Sequence, residues 1–138
     1  MKIIYGILIF VGIAFATQTH AQNNPEDILD PFFDTFKNDM NAAIDYLFST
    51  NELIDGNQEG VQSVKDRLEM SRKLLGNYYG HELIKIEEAG ESYLRYTYSL
   101  KYDRQPVKII IVLYKANDKW KVQNLNFDDK VETDFKEI

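Results

Sequence analysis

The sequence contains no cysteine and only two histidines among its 138 residues. The absence of cysteine excludes disulfide bonds, thiolate metal ligands and a lipid-modified N-terminal cysteine. The sequence also lacks the G-x-S-x-G turn of a nucleophile elbow, the phosphate-binding P-loop and the G-x-G-x-x-G motif. His81 is the only histidine after the first 21 residues, so a histidine-based triad would have to use it. We therefore expect no cofactor, no metal ion and no triad-based catalysis.

Basic residues are also in the minority, with 16 lysines and arginines against 22 aspartates and glutamates and a formal net charge of −6. Binding to nucleic acid or anionic lipid depends on basic side chains that neutralise phosphate, so we expect no nucleic-acid partner. Four acidic residues near the end, Asp128, Asp129, Glu132 and Asp134, lack the spacing of a calcium-binding loop. The sequence predicts a charged, frayed tail over residues 130–138.

The first 21 residues have the three-part pattern of a secretory signal peptide. A single lysine precedes an apolar run over residues 3–16, and Thr19 and Ala21 are small residues at the positions expected before a cleavage site. The run is about 14 residues long, whereas a membrane-spanning helix needs roughly 20. We predict cleavage between Ala21 and Gln22. This gives a secreted or periplasmic protein that is not a lipoprotein and has no membrane span after cleavage.

The sequence after the signal peptide begins with a polar leader and a helical part. Residues 22–30 are predicted to be a flexible leader. Asp30 followed by Pro31 is the pattern of an N-cap and a first helical residue, and apolar residues then recur at three- and four-residue steps. Gly76 suits the end of the last helix. The predicted helical segments are residues 31–48, a short turn at 50–54, and residues 59–75.

After Gly76 the apolar pattern changes to an alternation of two, which indicates β-strands. The predicted strands are residues 79–88, 92–103, 107–114 and 119–127. The third strand is apolar on both faces, which is typical of a central, covered strand. The order predicts a single α+β domain over residues 31–129. In it, two helices, or three if the short turn is counted, pack on a curved four-stranded antiparallel meander.

The fourth predicted strand contains a change of phase. Trp120 and Val122 lie on one face of an alternating strand, but the next apolar residues, Leu125 and Phe127, are out of phase with them. A β-bulge places two residues opposite one and would return all four side chains to one core. The sequence therefore predicts a bulge near residue 123, with Trp120 as a core residue.

Three stretches carry a resemblance to a known type of domain. They are the Phe-rich segment PFFDTFKNDMNAAIDYLF, the GNYYG entry into the sheet at 76–80, and the hairpin VKIIIVLYKANDKWKVQNLNF at 107–127. Over residues 31–127 the chain resembles small exported bacterial domains of the NTF2-like and cystatin-like α+β type. The resemblance implies a roll in which a curved sheet and helices surround one pocket. It also implies functions that range from isomerase or cyclase chemistry to binding without catalysis.

Two kinds of site are conceivable in such a pocket. An isomerase-type site needs a carboxylate base and a tyrosine donor. Glu82 alternates in phase with Ile84 and Ile86 and is the carboxylate expected to point inward, with Tyr96 or Tyr98 as the donor. A binding site for a small apolar or aromatic ligand would instead use residues at the rim of the pocket. The candidate ligand-binding residues are Tyr79, His81, Tyr96, Tyr98 and Tyr102.

The lack of a nucleophile–base pair, a metal set and a cofactor motif favours binding over catalysis. We expect an exported, non-catalytic binding domain for a small molecule or a protein partner, at the cone between sheet and helices. One alternative is the isomerase- or cyclase-type enzyme that uses Glu82 and a tyrosine. The other is an interaction module that forms a homodimer through the sheet, which is favoured if the tyrosines are core residues and side chains fill the cone.

Overall fold

The computed structural model describes residues 23–138, and the predicted signal peptide and its cleavage site lie outside them. Within these residues four helices precede four strands, and a 3₁₀ turn follows. The elements are α1 (Glu26–Phe36), α2 (Met40–Ser49), α3 (Glu52–Asp55), α4 (Gln58–Leu75), β1 (Tyr78–Glu88), β2 (Tyr93–Tyr102), β3 (Val107–Tyr114), β4 (Lys121–Asp128) and the 3₁₀ turn (Val131–Asp134). In this part of the chain no helix is long and apolar enough to cross a membrane.

The strands form one antiparallel sheet in the order β1-β2-β3-β4, which is not closed into a barrel. The predicted α+β fold, with helices followed by a four-stranded meander, is confirmed. So is the central place of β3, whose Ile109 and Ile111 are fully buried. The helices pack on one face of the sheet, where the rings of Phe33 in α1 and Tyr98 in β2 lie 4.6 Å apart. We call this the inner face, and the opposite one the outer face.

The first helix begins earlier than the sequence predicted. α1 starts at Glu26, not after Asp30, and Pro31 lies inside it. Ile28 and Leu29, which fall in the predicted flexible leader, are 0% and 2% exposed and belong to the hydrophobic core. Because buried apolar side chains contribute to stability, the folded domain includes these residues.

A side chain of α2 compensates for the proline inside α1. Pro31 has no N–H, so it cannot donate the helical hydrogen bond to the carbonyl of Asp27, four residues earlier. The hydroxyl of Tyr46 donates a hydrogen bond to this carbonyl oxygen at 3.1 Å. The backbone group that the proline leaves free is therefore satisfied from the second helix.

The predicted helix over residues 31–48 is two helices, so the prediction of one continuous helix is wrong. α1 ends at Phe36 and α2 begins at Met40. Asp39 has an extended conformation, and its side chain accepts a hydrogen bond from the N–H of Ala42 at 2.9 Å. This N-cap starts a new helix.

The chain after α2 is fastened to the edge strand β4 by two hydrogen bonds to one residue. The N–H of Val122 donates to Oγ1 of Thr50 at 2.9 Å, and the carbonyl of Val122 accepts from Nδ2 of Asn51 at 2.7 Å. Asn51 is buried, and its Oδ1 also accepts a hydrogen bond from the N–H of Leu53 at the start of α3. Both backbone polar groups of Val122 thus have partners from the helical layer.

The phase change predicted in the fourth strand is a β-bulge. Consecutive residues of β3 pair with Val122 and Asn124, which leaves Gln123 without a residue opposite it. Trp120, Val122 and Leu125 are 5%, 0% and 8% exposed. The bulge and the core position of Trp120 are therefore confirmed.

β1 contains two bulges that the sequence did not predict, at Tyr79 and at Ile84. The bulge at Ile84 changes which face the following side chains occupy. Glu82 pairs with Ser99 on the outer face, whereas Ile86 lies on the inner face. The prediction that Glu82 shares a face with Ile86 is wrong, because one extra residue moves the later side chains to the other side of the sheet.

The predicted frayed tail over residues 130–138 packs, in its first part, on the outer face of the sheet. Val131–Asp134 forms a 3₁₀ turn there. Lys108 of β3 contacts this turn through Asp134 and is only 8% exposed. Phe135, the next residue, is 79% exposed, so the packing ends with the turn.

Candidate functional site

The inner-face tyrosines of β2 lie in the hydrophobic core. Tyr96 and Tyr98 are 4% and 7% exposed. Phe33 stacks on the ring of His81, and both rings contact Tyr98 in an edge-on arrangement. Burial raises the pKa of Tyr98, and burial together with the Glu26 carboxylate raises the pKa of Tyr96 to about 12. Side chains therefore fill the predicted cone at these two tyrosines.

Glu82 lies on the opposite side of the sheet from these tyrosines, so the prediction that it points inward is wrong. Its carboxylate is exposed, and its Oε1 is 3.4 Å from Nζ of Lys101. The carboxylates that help to raise the pKa values of the two tyrosines come from α1 instead, namely Glu26 and Asp30. The sequence prediction missed them because it placed Glu26 in the leader and Asp30 at a helix N-cap.

The structure brings the other three candidate residues, Tyr79, His81 and Tyr102, to one end of the sheet around Tyr78. An open groove of about 540 Å³ lies there, beside the junction of α1 and α2. A neighbouring groove of about 480 Å³ is lined by Tyr79 and His81, and Lys37 and Tyr78 line both grooves. We call the larger one the aromatic groove. Its lining includes Phe36, Met40, Arg72, Gly76, Tyr78 and Tyr102.

The break between α1 and α2 forms one wall of the aromatic groove, which Lys37, Asn38 and Asp39 line. A continuous helix would have no such linker. The sequence does contain a signal for the break, because asparagine and aspartate in succession favour turns and helix N-caps. The regular spacing of apolar residues on both sides concealed it.

Gly76 and Asp103 fix the start of β1 against the end of β2 at the opposite wall. Gly76 has φ +86°, and a Cβ here would lie 2.5 Å from Oδ2 of Asp103, so glycine is required. The Asp103 carboxylate accepts hydrogen bonds from the Tyr79 hydroxyl at 2.6 Å and from the N–H of Asn77 at 2.7 Å. These hydrogen bonds lower the pKa of Asp103. The hydroxyl of Tyr79 is thereby engaged in holding the two strands together.

Three aromatic rings in contact line the groove. The ring centroids of Phe36 and Tyr78 are 5.2 Å apart, and those of Tyr78 and Tyr102 are 5.5 Å apart. Burial, with a smaller effect of Tyr102, raises the pKa of Tyr78 to about 12, and burial also raises the pKa of Tyr102. Both hydroxyls are therefore protonated at neutral pH and can donate hydrogen bonds to an acceptor.

His81 is a stacking residue at the neighbouring groove. Its ring lies against Phe33 with centroids 3.7 Å apart and an interplanar angle of 11°. Burial lowers the pKa of His81 below its ordinary value of 6.5, although Asp30 acts in the opposite direction. The imidazole is therefore neutral at pH 7, and its Nδ1 lies 3.5 Å from the hydroxyl of Tyr78.

The two cations at the rim of the aromatic groove each have an acidic partner three residues earlier in the sequence. The guanidinium of Arg72 donates two hydrogen bonds to Glu69, at 2.9 and 3.2 Å. Nζ of Lys37 is 3.1 Å from Asp34. Because these charges are balanced locally, the groove suits a neutral ligand with a hydrogen-bond acceptor better than an ionic one. Among residues 23–138 no three or more His, Cys, Asp or Glu side chains are grouped to hold a metal ion.

No protein-family model matches the chain, and comparisons with curated proteins and with solved structures find no match either. A functional hypothesis for this protein therefore has to start from the geometry of the groove.

Proposed function

We propose that the protein is an exported, non-catalytic binding domain that takes a small neutral aromatic or aliphatic ligand in the aromatic groove. The observation that carries the proposal is the meeting of Phe36, Tyr78 and Tyr102 at an open groove of about 540 Å³. This volume falls in the range of about 300–1,000 Å³ that is usual for small-molecule sites. The binding surface thus lies at the end of the sheet and not inside the filled cone.

The chemistry of the groove supports this class of ligand. The apolar part of the ligand would lie against the three rings, since aromatic side chains provide large contact areas at little entropic cost. The protonated hydroxyls of Tyr78 and Tyr102 would donate hydrogen bonds to a carbonyl or ether oxygen. Export rests on the signal-peptide pattern, and the NTF2-like or cystatin-like family type rests on the resemblance over residues 31–127. The isomerase or cyclase alternative has lost its proposed base, because Glu82 faces outward.

A titration with 7-methoxycoumarin tests the proposal, because this neutral planar probe carries a carbonyl acceptor. We expect saturable binding by fluorescence anisotropy, with amide shift changes in two-dimensional NMR confined to Asn77, Tyr78 and Tyr102 and their neighbours. Tyr102→Phe removes one hydroxyl and should weaken binding several-fold, and Tyr102→Ser should abolish it.

Tyr114→Ser is the matched control, since Tyr114 is a half-exposed tyrosine of β3 on the outer face, away from the groove. Its coumarin affinity should equal that of the wild type. Loss of binding in both serine variants, or shift changes spread over the whole sheet, would show that the probe does not use the aromatic groove.

A second candidate function, an interaction module that dimerises through the sheet, is favoured by the burial of Tyr96 and Tyr98 in the filled cone and by one further observation. Tyr93 and Tyr114 form an edge-on pair on the outer face, with centroids 6.1 Å apart, and are 42% and 36% exposed. Sedimentation equilibrium at micromolar concentration tests it. A dimer that Tyr114→Ser dissociates would support this function, and a monomeric wild type would contradict it.

A further inference from the structure

A lysine of the outer face receives all its partners from the segment that follows β4. Nζ of Lys108 donates hydrogen bonds to the carbonyl of Lys130 at 2.8 Å, to Oγ1 of Thr133 at 3.1 Å and to Oδ2 of Asp134 at 3.0 Å. An ammonium group has three donors, so this one segment satisfies the group completely. The side chain of Lys108 is 10% exposed.

Asp134 enters between two lysines of the sheet. Its Oδ2 contacts Lys108, and its Oδ1 lies 3.4 Å from Nζ of Lys85 on β1. The side chain of Asp134 is only 6% exposed, and the hydrogen bond from Lys108 and the nearby Lys85 lower its pKa. Hydrogen bonds between oppositely charged groups in such partly desolvated surroundings are stronger than neutral ones. The two lysines therefore hold one carboxylate in a defined place.

A buried hydroxyl beside the lysines remains without a partner. Thr97 pairs with Lys85 across the strands and is 1% exposed. Its Oγ1 has no hydrogen-bond partner among the residues that the structure describes. A buried polar atom of this kind is costly, and Asp134 does not relieve it. The segment from residue 130 onward thus packs beside Lys85 and Lys108 without forming a hydrogen bond to Thr97.

The same segment has little apolar attachment to the domain. Val131, the apolar residue of the turn Val131–Asp134, is only partly buried, and Phe135 is 79% exposed. Its placement therefore depends mainly on the polar contacts of Lys85 and Lys108. A segment held in this way can exchange with another of the same chemistry, whereas a segment with buried apolar anchors cannot.

We infer that Lys85 and Lys108 form a carboxylate-binding site on the outer face of the sheet, beside the buried Thr97, that Asp134 of the chain fills it in this structure, and that an acidic peptide of a partner protein is its other occupant. Charge complementarity supports this occupant, because the site presents two ammonium groups and already accepts an aspartate within a peptide. Lys85 is shared with Glu87, whose Oε2 lies 3.9 Å from its Nζ, whereas Lys108 has Asp134 as its carboxylate partner. The inference does not depend on the aromatic groove, which lies on a different part of the molecule.

A peptide in trans tests the inference in the full chain. The attached segment competes at a high effective concentration, so the test uses the Asp134→Asn variant. A fluorescein-labelled peptide with the sequence DKVETDFKEI, which is that of residues 129–138, serves as the probe. By fluorescence anisotropy it should bind Asp134→Asn at least tenfold more tightly than the wild type, a difference of about 1.4 kcal/mol. The amide signals of Lys85, Thr97 and Lys108 should shift on binding.

Substitutions in the sheet and in the peptide provide the controls, all in the Asp134→Asn background. Lys108→Gln should weaken peptide binding at least tenfold, and Lys85→Gln, at a more exposed position with less risk to folding, several-fold. Lys101→Gln is the matched control, since Lys101 is an outer-face lysine paired with Glu82, and it should leave the affinity unchanged. The same peptide with asparagine in place of the aspartate that corresponds to Asp134, so that TDF becomes TNF, should not bind.

Three results would overturn the inference. They are no saturable binding to Asp134→Asn, equal binding of the TDF and TNF peptides, and equal effects of Lys85→Gln and Lys101→Gln. Sedimentation of the wild-type chain is a fourth test, which examines whether a second copy of the chain occupies the site. A dimer that Asp134→Asn dissociates would mean that the segment of a second copy fills the site, and the inference of a separate partner would then be wrong.

Discussion

The hydrogen bond from Tyr46 to the carbonyl of Asp27 provides a quantitative test of how α1 accommodates Pro31. Tyr46→Phe leaves this half-buried carbonyl without its 3.1 Å partner. Loss of one partner of a buried hydrogen bond costs about 1–2 kcal/mol of unfolding free energy. In a Pro31→Ala background the new N–H of residue 31 can bond to the same carbonyl, so Tyr46→Phe should then cost no more than about 0.5 kcal/mol. The expected coupling between the two sites is therefore about 1 kcal/mol.

Urea unfolding followed by far-ultraviolet circular dichroism measures the four proteins of this double-mutant cycle. The slopes should be equal, so that the midpoints report differences in the free energy of unfolding. The cycle subtracts the separate effect of Pro31→Ala on the unfolded chain. Tyr114→Phe, at the exposed end of β3, is the control and should change stability by less than about 0.5 kcal/mol. An equal cost of Tyr46→Phe with and without the proline would refute the idea that the hydroxyl replaces the missing N–H.

Three further predictions concern other features of the fold. Gly76→Ala should lower the free energy of unfolding by more than about 2 kcal/mol in urea unfolding, because it combines a positive φ with a steric clash. Gly90→Ala, at φ +66° with open space around it, should cost about 1 kcal/mol. A larger cost for Gly90→Ala than for Gly76→Ala would contradict this explanation. His81 has a lowered pKa in the folded chain, so the unfolded chain binds the proton more readily and stability should fall as the pH decreases through 6.5. In thermal unfolding from pH 8 to 5, the melting temperature of His81→Gln should decrease less steeply than that of the wild type. An unchanged slope would argue against a contribution of His81 to the pH dependence. Asn51→Ala removes the buried partner of the Val122 carbonyl and should lower the free energy of unfolding by about 1–3 kcal/mol, with faster hydrogen exchange in β4. Unchanged exchange would show that the hydrogen bonds of Thr50 and Asn51 to Val122 do not hold β4 in place.

The sequence predicted the strands well because a sheet with one buried face imposes alternation on its residues. The bulge in β4 left a visible mark, since Val122 and Leu125 are both buried although they are three residues apart. The bulge at Ile84 left none. β1 is an edge strand, and Leu83 and Ile86 on its inner face are each 50% exposed, so the position of its apolar residues is weakly constrained.

The helices were harder to predict because local signals competed with each other. Phe36 and Met40 are both buried and four residues apart, so the apolar stripe continues across the break that Asp39 introduces. Asp30 and Pro31 imitate a helix start, but the burial of Ile28 and Leu29 extends α1 backwards. Tertiary contacts decided between these signals, and they are not visible in a window of sequence.

The candidate site was predicted in part. Tyr79, His81 and Tyr102 were named because aromatic residues cluster in the strands, and they do lie around one end of the sheet. Phe36 and Tyr78 were not named, since their roles depend on the helix break and on the packing of α1 against β1. A groove between elements that are distant in sequence has no local signature.

The two hydrogen bonds on Val122 limit how this protein can aggregate. Growth of a fibre by strand pairing requires every copy to offer two free sheet edges, one for each neighbour. A strand added along β4 would have to displace Thr50 and Asn51 from Val122. Pairing along β1 joins two copies and leaves at each end of the pair a β4 edge that Thr50 and Asn51 cover at Val122. The hydrogen bonds to Val122 therefore oppose further strand addition at this point of β4.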